Sequence, residues 1–341
     1  MKTMQIKKTI PVFYAADENY FPYLAVSLHS LKENASKAYN YAIYVLCEGV
    51  SETSRERLEK YADEYFTVTF VNVKAKMEEV KQELELRDYY TGATYYRIFI
   101  AELFPQYDKA LYFDCDTVIT GDVSELFNVN LGNNLVGAVP DGVVAAVPQF
   151  AAYTEQGLGI QAKNYFNAGV LCIHLAEWRK DNFYNKFCKL LCEYKFTVAQ
   201  DQDYLNVLCK DRVCYIGEEW NKMPMRGERE SLPKLVHFNL TAKPWRYVDV
   251  PYAKLFWGYA AKTEYYEKIT ADFAAYSGAR IRRDETCEKN LIALAEWETK
   301  RPDGYYKSQQ AKQSKRVMQV GKTECVYVEN FTGTPAYSKA H

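Results

Sequence analysis

Blocks of apolar and polar positions follow one another along the 341-residue chain with two alternating periods. Residues 9–16 read as a strand, and residues 21–32 as a helix with Leu24, Leu28 and Leu31 on one face. Residues 41–46 predict a second strand, after which Ser51 caps a helix over 52–65. A β-branched strand over 67–73 and a charged helix over 77–86 come next. Residues 94–103 predict a helix whose apolar side, Tyr96, Phe99, Ile100 and Leu103, is interrupted by Arg97. The run 111–119 has the apolar character of a buried central strand, yet it contains Asp114 and Asp116.

Beyond it, 136–139 is a short strand, 143–159 a loop or loose helical segment, and 165–173 a strand with a polar edge. Helices are predicted over 181–194 and 200–209, extended segments over 213–216 and 235–238, and aromatic-rich helices from residue 251. The segment after residue 275 is more polar, with a helix over 288–299.

Strands alternating with helices define an α/β fold with a mostly parallel central sheet flanked by helices. Ligands of such sheets sit at the carboxyl ends of the strands. Asp17 and Asn19, which follow the first strand, are therefore expected near Asp114 and Asp116.

Composition narrows the function. Lys plus Arg is 43 and Asp plus Glu 44, so no net basic surface exists to neutralise nucleic-acid phosphates. Nine cysteines, an odd number without a CxxC pair, fit a reduced, cytoplasmic protein rather than a disulfide framework. Cys188 and Cys192 share a helix face, but no histidine is near them, so they read as packing residues. The polar start of the chain is not a signal peptide, and no apolar run is long enough to span a membrane. Lys307, Lys312, Lys315, Arg316 and Lys322 make the C-terminal segment basic; it is either a solvated tail or a peripheral contact for an acidic or membrane surface.

Two carboxylates on an apolar strand repel each other and need a cation or solvent. One reading is a divalent metal site at the mouth of a cleft; the other is a strand end with solvated turn carboxylates. A phosphatase-type Asp-x-Asp loop would place the pair on the first strand and needs a second carboxylate pair downstream. Here three strands precede it and no such pair follows.

Four blocks resemble glycosyltransferase family 8, the retaining transferases that include lipopolysaccharide galactosyl- and glucosyltransferases and glycogenin. They are Phe13-Tyr14-Ala15-Ala16-Asp17-Glu18-Asn19-Tyr20; Tyr95-Tyr96-Arg97 with the run from Leu111 to Asp122; Phe166-Asn167-Ala168-Gly169-Val170 with Gln200-Asp201-Gln202-Asp203; and His237 with Lys243-Pro244-Trp245. The resemblance implies a GT-A fold over residues 1–275, with a nucleotide-sugar half to about 135 and an acceptor half from 136, and a C-terminal appendage over 276–341. It implies a UDP-sugar donor, UDP-glucose or UDP-galactose, a glycan or glycolipid acceptor, and Mn²⁺ as cofactor, with Mg²⁺ as the alternative.

By the same resemblance Asp114, Asp116 and His237 would ligate the metal, an oxygen-rich set that suits Mn²⁺ better than zinc. Lys243 would bond the diphosphate. Ala15, Asp17 and Asn19 would bind uridine. Asp141 and Asn167 would line the sugar and acceptor pocket, and Tyr20 and Cys115 would also bind substrate. Arg97 would meet the donor sugar and a facing carboxylate, Asp201. Gln202 would lie at the anomeric carbon opposite UDP. A glutamine is a poor nucleophile, which favours front-face transfer; a double displacement would have only Asp201 to serve it. The family's lipopolysaccharide galactosyltransferases commonly carry a Gly between the His and the Lys-Pro-Trp, where Asn239-Leu240-Thr241 stands here. That departure bears on the acceptor more than on catalysis. A protein that binds nucleotide sugars without turnover is the alternative from another class.

Overall fold

A computed structural model describes residues 7–84, 92–225, 231–312 and 314. The end of the helix expected at 77–86, Cys325, and the basic residues Lys315, Arg316 and Lys322 lie outside these.

The first half alternates as the periodicity predicts: β1 (Thr9–Ala15), α1 (Phe21–Asn34), β2 (Asn40–Cys47), α2 (Glu52–Glu59), β3 (Phe66–Asn72) and α3 (Lys74–Val80). The Ser51 hydroxyl accepts from the Ser54 amide and caps α2. A 3-10 segment (Gly92–Phe99) leads into the short α4 (Ile100–Leu103), where a single helix was expected. The tighter winding goes with Arg97 being 3% exposed, its guanidinium turned inward.

The chain continues through β4 (Ala110–Phe113), β5 (Thr117–Ile119), α5 (Val123–Phe127), β6 (Val136–Pro140), α6 (Gly142–Ala146) and α7 (Pro148–Ala152). A π-helix (Tyr153–Leu158) follows, so the stretch expected to be a loop or loose helical segment is helical throughout much of its length. Then come β7 (Phe166–Ile173), α8 (Leu175–Lys180), α9 (Phe183–Glu193), α10 (Asp201–Leu208), β8 (Val213–Tyr215) and β9 (Leu235–His237). α11 (Ala253–Ala260), α12 (Tyr266–Ala274) and α13 (Gly278–Lys300) complete the described elements. None of the described helices is long and apolar enough to cross a membrane.

The expected strand over 111–119 is two strands. β4 ends at Phe113, because its partner β7 supplies its last register pair there and the Gly169 carbonyl then takes the Asp114 amide. The Thr117 hydroxyl closes the turn on the Asp114 carbonyl at 2.9 Å. The chain then leaves the main sheet, and β5 pairs antiparallel with β9, setting Thr117 opposite His237.

Seven strands form the main sheet in the order β3-β2-β1-β4-β7-β6-β8. β7 alone among them runs against the rest, antiparallel to both β4 and β6. This reversal brings the beginning of β7, Asn167 to Gly169, to the edge where β1, β4 and β6 end. One polar and two small residues thereby join the carboxylates at the mouth of the sheet.

Asn206 of α10 anchors that edge. Its Oδ1 accepts from the Phe166 amide and its Nδ2 donates to the Phe166 carbonyl, both at 2.8 Å. Replacing it leaves a buried backbone donor and acceptor without partners, at about 1–3 kcal/mol each. Asn206→Ala should therefore lower unfolding free energy by about 2–4 kcal/mol. Urea denaturation checks this, and a loss below about 0.5 kcal/mol would show that β7 does not need the anchor.

Candidate active site

The carboxyl edge of the sheet opens into a cleft lined by Ala15, Asp17, Tyr20, Arg97, Asp114, Cys115, Asp116, Asp141, Asn167, Asp201, Gln202, His237 and Lys243, among others. These are the residues expected from the sequence, with one exception. Asn19 is exposed and faces a neighbouring groove, because its backbone amide turns back onto Asp17 Oδ1 at 2.9 Å. The Cys115 thiol donates to the Ala15 carbonyl at 3.2 Å, tying β1 to the aspartate turn. Burial pushes that thiol well above its usual range, so it is no nucleophile.

Each aspartate of the pair has its own cation. Arg97 donates from Nη2 to Asp114 Oδ1 at 3.0 Å, and its Nε lies 3.3 Å from Asp201 Oδ2. The guanidinium also stacks over Tyr112 at 4.3 Å, and the Tyr112 hydroxyl donates to the same Asp114 oxygen at 2.8 Å. Tyr112 was missed from the sequence, although it stands two residues before Asp114, the spacing that puts side chains of extended chain on one face. Lys243, buried rather than on the surface, donates to Asp116 Oδ2 at 2.5 Å and to the Phe238 carbonyl at 2.6 Å. Burial pushes the Asp116 carboxyl up, but Lys243 and then His237 outweigh it and hold the group below the usual carboxylate range.

Asp114, Asp116 and His237 bring their ligand atoms within 4.8 Å of one another. His237 Nε2 is 3.2 Å from Asp116 Oδ1 and 3.7 Å from Asp114 Oδ2. Hydrogen bonding defines which nitrogen of the ring is protonated. The Gly169 backbone amide can only donate, so the Asn167 atom facing it is Oδ1, and the Asn167 NH₂ donates to Asp141 Oδ2 at 3.0 Å. Asn167 Oδ1 then accepts from the Gly169 amide and from Asn221 Nδ2, each at 3.0 Å. That turns Asn221 Oδ1 toward His237 Nδ1, 3.1 Å away, which must donate. On the neutral ring, the form that binds a metal, the Nε2 lone pair is presented to Asp116 Oδ1, a buried oxygen without a hydrogen-bond partner among the described residues. Two acceptors face each other in that form, which leaves a place for a cation, and the oxygen-rich donor set fits a divalent metal. Gly169 leaves the room: a Cβ on it would lie 2.2 Å from His237 Cε1 and 2.6 Å from Asp114 Oδ2.

The opposite wall is the turn into α10. Gln202 Oε1 accepts from the Ala168 amide at 2.9 Å, and Nε2 donates to Asp141 Oδ2 at 3.1 Å, so the amide is held at both ends. Gln200, at φ +50°, is in a backbone region that L-residues avoid, and its buried side-chain amide finds no protein partner. Asp203 turns away from the cleft and accepts from Tyr165 at 2.7 Å and from Tyr153 and the Ala199 amide at 2.9 Å. Burial raises Asp201 to about 7, against the opposing pull of Arg97. Burial also raises Asp203 to about 6, with Tyr165, the Ala199 amide and Tyr153 opposing.

With this geometry the comparisons with known proteins have a physical counterpart. The model of glycosyl transferase family 8 matches residues 11–249, more than two thirds of the chain. The chain belongs to glycosyl transferase family 8. A relative from Haemophilus influenzae is 29% identical over 218 residues, 64% of this chain and 64% of that protein, so the chain spans a little under two thirds of its length. The lipopolysaccharide 1,2-glucosyltransferase of Escherichia coli K12 is 24% identical over 278 residues, 75% of this chain and 79% of that one. The galactosyltransferase LgtC, solved with donor and acceptor sugar analogs, superimposes with a TM-score of 0.64 at 27% identity, covering 75% of this chain and 96% of LgtC. The fold is that of the GT-A glycosyltransferases, and the cleft carries a cluster able to hold a metal.

Two expectations follow. Asn221→Ala frees His237 Nδ1 from its acceptor, so divalent-metal affinity should fall about 10- to 100-fold while the fold persists. A Mn²⁺ titration followed by electron paramagnetic resonance reads this, and unchanged affinity would rule out the amide relay as the orienting device. Asp203 binds its proton more tightly in the folded chain, to about 6 against 3.8. Its contribution to stability is therefore full below about pH 4 and is lost as pH rises through about 6. Asp203→Asn should flatten that part of the stability–pH curve, measured by urea unfolding between pH 4 and 7.

Proposed function

We propose that this glycosyltransferase moves glucose or galactose, with retention, from UDP-glucose or UDP-galactose to a glycan or glycolipid acceptor. The observation that carries the reading is the Asp114–Asp116–His237 cluster with its Nε2 lone pair fixed inward, facing the immobilised Gln202 across the same cleft. The sugar assignments named for the Escherichia coli relative and for LgtC support a hexose.

Asp114, Asp116 and His237 would hold Mn²⁺, with Mg²⁺ as the alternative. Bound there, the ion would offset the charge that builds on the departing diphosphate. Ala15, Asp17 and Tyr20, at the end of β1, would take the uridine. Lys243 would keep its ammonium beside both Asp116 and the diphosphate, a fixed positive charge where leaving-group charge grows. Arg97 would hold Asp114 and Asp201 apart from each other and in place. Asp141 and Asn167 would offer hydrogen bonds at the sugar and acceptor side.

The state of the two groups that would lie nearest the anomeric carbon, Gln202 and Asp201, favours front-face transfer. Gln202 Oε1 is engaged by the Ala168 amide, and an amide oxygen is a weak nucleophile in any case. Asp201 pairs with Arg97 and, raised to about 7, is only about half ionised near neutral pH. Neither makes a ready nucleophile for a double displacement. The acceptor hydroxyl would instead attack from the side UDP leaves, passing its proton to a diphosphate oxygen.

The test is a donor screen that follows UDP release with and without Mn²⁺. Release from UDP-glucose or UDP-galactose should depend on the metal and fall at least about a hundredfold in Asp114→Ala, since one carboxylate and one imidazole bind metal poorly. Metal-independent UDP binding by calorimetry, or binding without any turnover, would overturn the enzymatic reading.

A further inference from the structure

α13 begins at Gly278, well beyond the residues 11–249 that the family model matches. It nevertheless reaches the cleft. Asp284, Glu288, Leu291, Ala295 and Glu298 recur every three or four residues and so form one face of the helix. At one end of this face, Glu288 accepts from the Thr241 hydroxyl, and Asp284 accepts from the Tyr247 hydroxyl at 2.9 Å. At the other end, Glu298 accepts from the Thr197 hydroxyl at 3.0 Å. The helix is strung between the loop that carries Lys243 and the turn that carries Asp201. Leu291, midway between the anchors, lines the cleft.

A second observation comes from the loop itself. Leu240 also lines the cleft, and it sits at φ +53°, in the left-handed region. A γ-branched residue is strained there, whereas glycine adopts it freely. The chain bears that strain and places an isobutyl group in the cleft. Leu240 and Leu291 join Val144, Phe150 and Val198 as an apolar wall of the same cavity whose floor is Asp141, Asn167 and Gln202. Sugar hydroxyls set against such a wall would lose hydrogen bonds, whereas an apolar group would not.

We propose that Leu240 and Leu291 form an apolar acceptor subsite completed by α13, which takes the hydrophobic substituent of a glycoside whose sugar rests on the polar floor. The word acceptor rests on the transferase reading above; the subsite itself does not.

The test compares binding of methyl and octyl β-D-galactopyranoside, below the micellar concentration, by calorimetry on the full chain without UDP. The octyl glycoside should bind at least tenfold more tightly. The ratio should fall below about threefold in both Leu240→Gly and Leu291→Asn and persist in Leu291→Met. Leu240→Gly relieves the left-handed strain, so its melting temperature should not fall, which separates loss of the subsite from loss of the fold. Equal affinities, no binding of either glycoside, or a preference that survives both variants would overturn the proposal. A separate titration with UDP and Mn²⁺ reads the donor site: its failure beside a retained octyl preference would count against the transferase reading and leave the subsite standing.

Discussion

One amide side chain organises the cleft. Asn167 donates to a carboxylate that has no proton to give, and accepts from a backbone amide and a second side-chain amide. These partners leave it a single orientation. That orientation passes through Asn221 to His237 and decides which imidazole nitrogen faces the aspartates. The same carboxylate, Asp141, also takes the Gln202 amide and the Val143 and Val144 amides of α6. The metal-facing side of the site and the sugar-facing side are thus parts of one hydrogen-bonded network, built from groups that are individually neutral or paired.

The charges impose a second order. Asp114, Asp116 and Asp201 converge where there is little water to screen them, and Arg97 and Lys243 enter as their counterions. Separation is as important as neutralisation: Arg97 takes Asp114 and Asp201, Lys243 takes Asp116, and the remaining Asp116 oxygen is left facing a lone pair. Buried ion pairs of this kind add little net stability, because desolvation offsets most of the attraction. Their effect is to hold a strongly polar cleft in one arrangement, ready for a cation and a diphosphate that complete its charge balance.

The direction of β7 makes this arrangement attainable. If β7 ran parallel to its neighbours, Asn167, Ala168 and Gly169 would lie at the far edge of the sheet, and neither the relay nor the space beside His237 would exist. The reversed strand puts small residues and one amide against the aspartate turn, while β9 brings His237 in from a separate two-stranded sheet. α13 then closes a side of the cleft that the sheet leaves open, through carboxylates that bond to the loops on either side of it.

Much of this was legible in the residues themselves. Hydrophobic period defined the alternation of β1 to β3 with their helices, because a buried strand and an amphipathic helix each impose a repeat that local sequence must obey. The unlikely placing of Asp114 and Asp116 in an apolar run marked the site, and ordered blocks around Asp17, Arg97, Asn167 and His237 marked the family. Other features had no local signature. Asn19 turned away through a backbone contact to its own neighbour, and the strand over 111–119 broke because β7 ends its pairing at Phe113. Asn221 stands in a segment with no recognisable pattern, and Leu291 on a helix far along the chain. Their roles arise only from what tertiary packing places beside them: a residue's chemistry is written locally, but its hydrogen-bond partners and the wall it shares come from strand direction and helix docking.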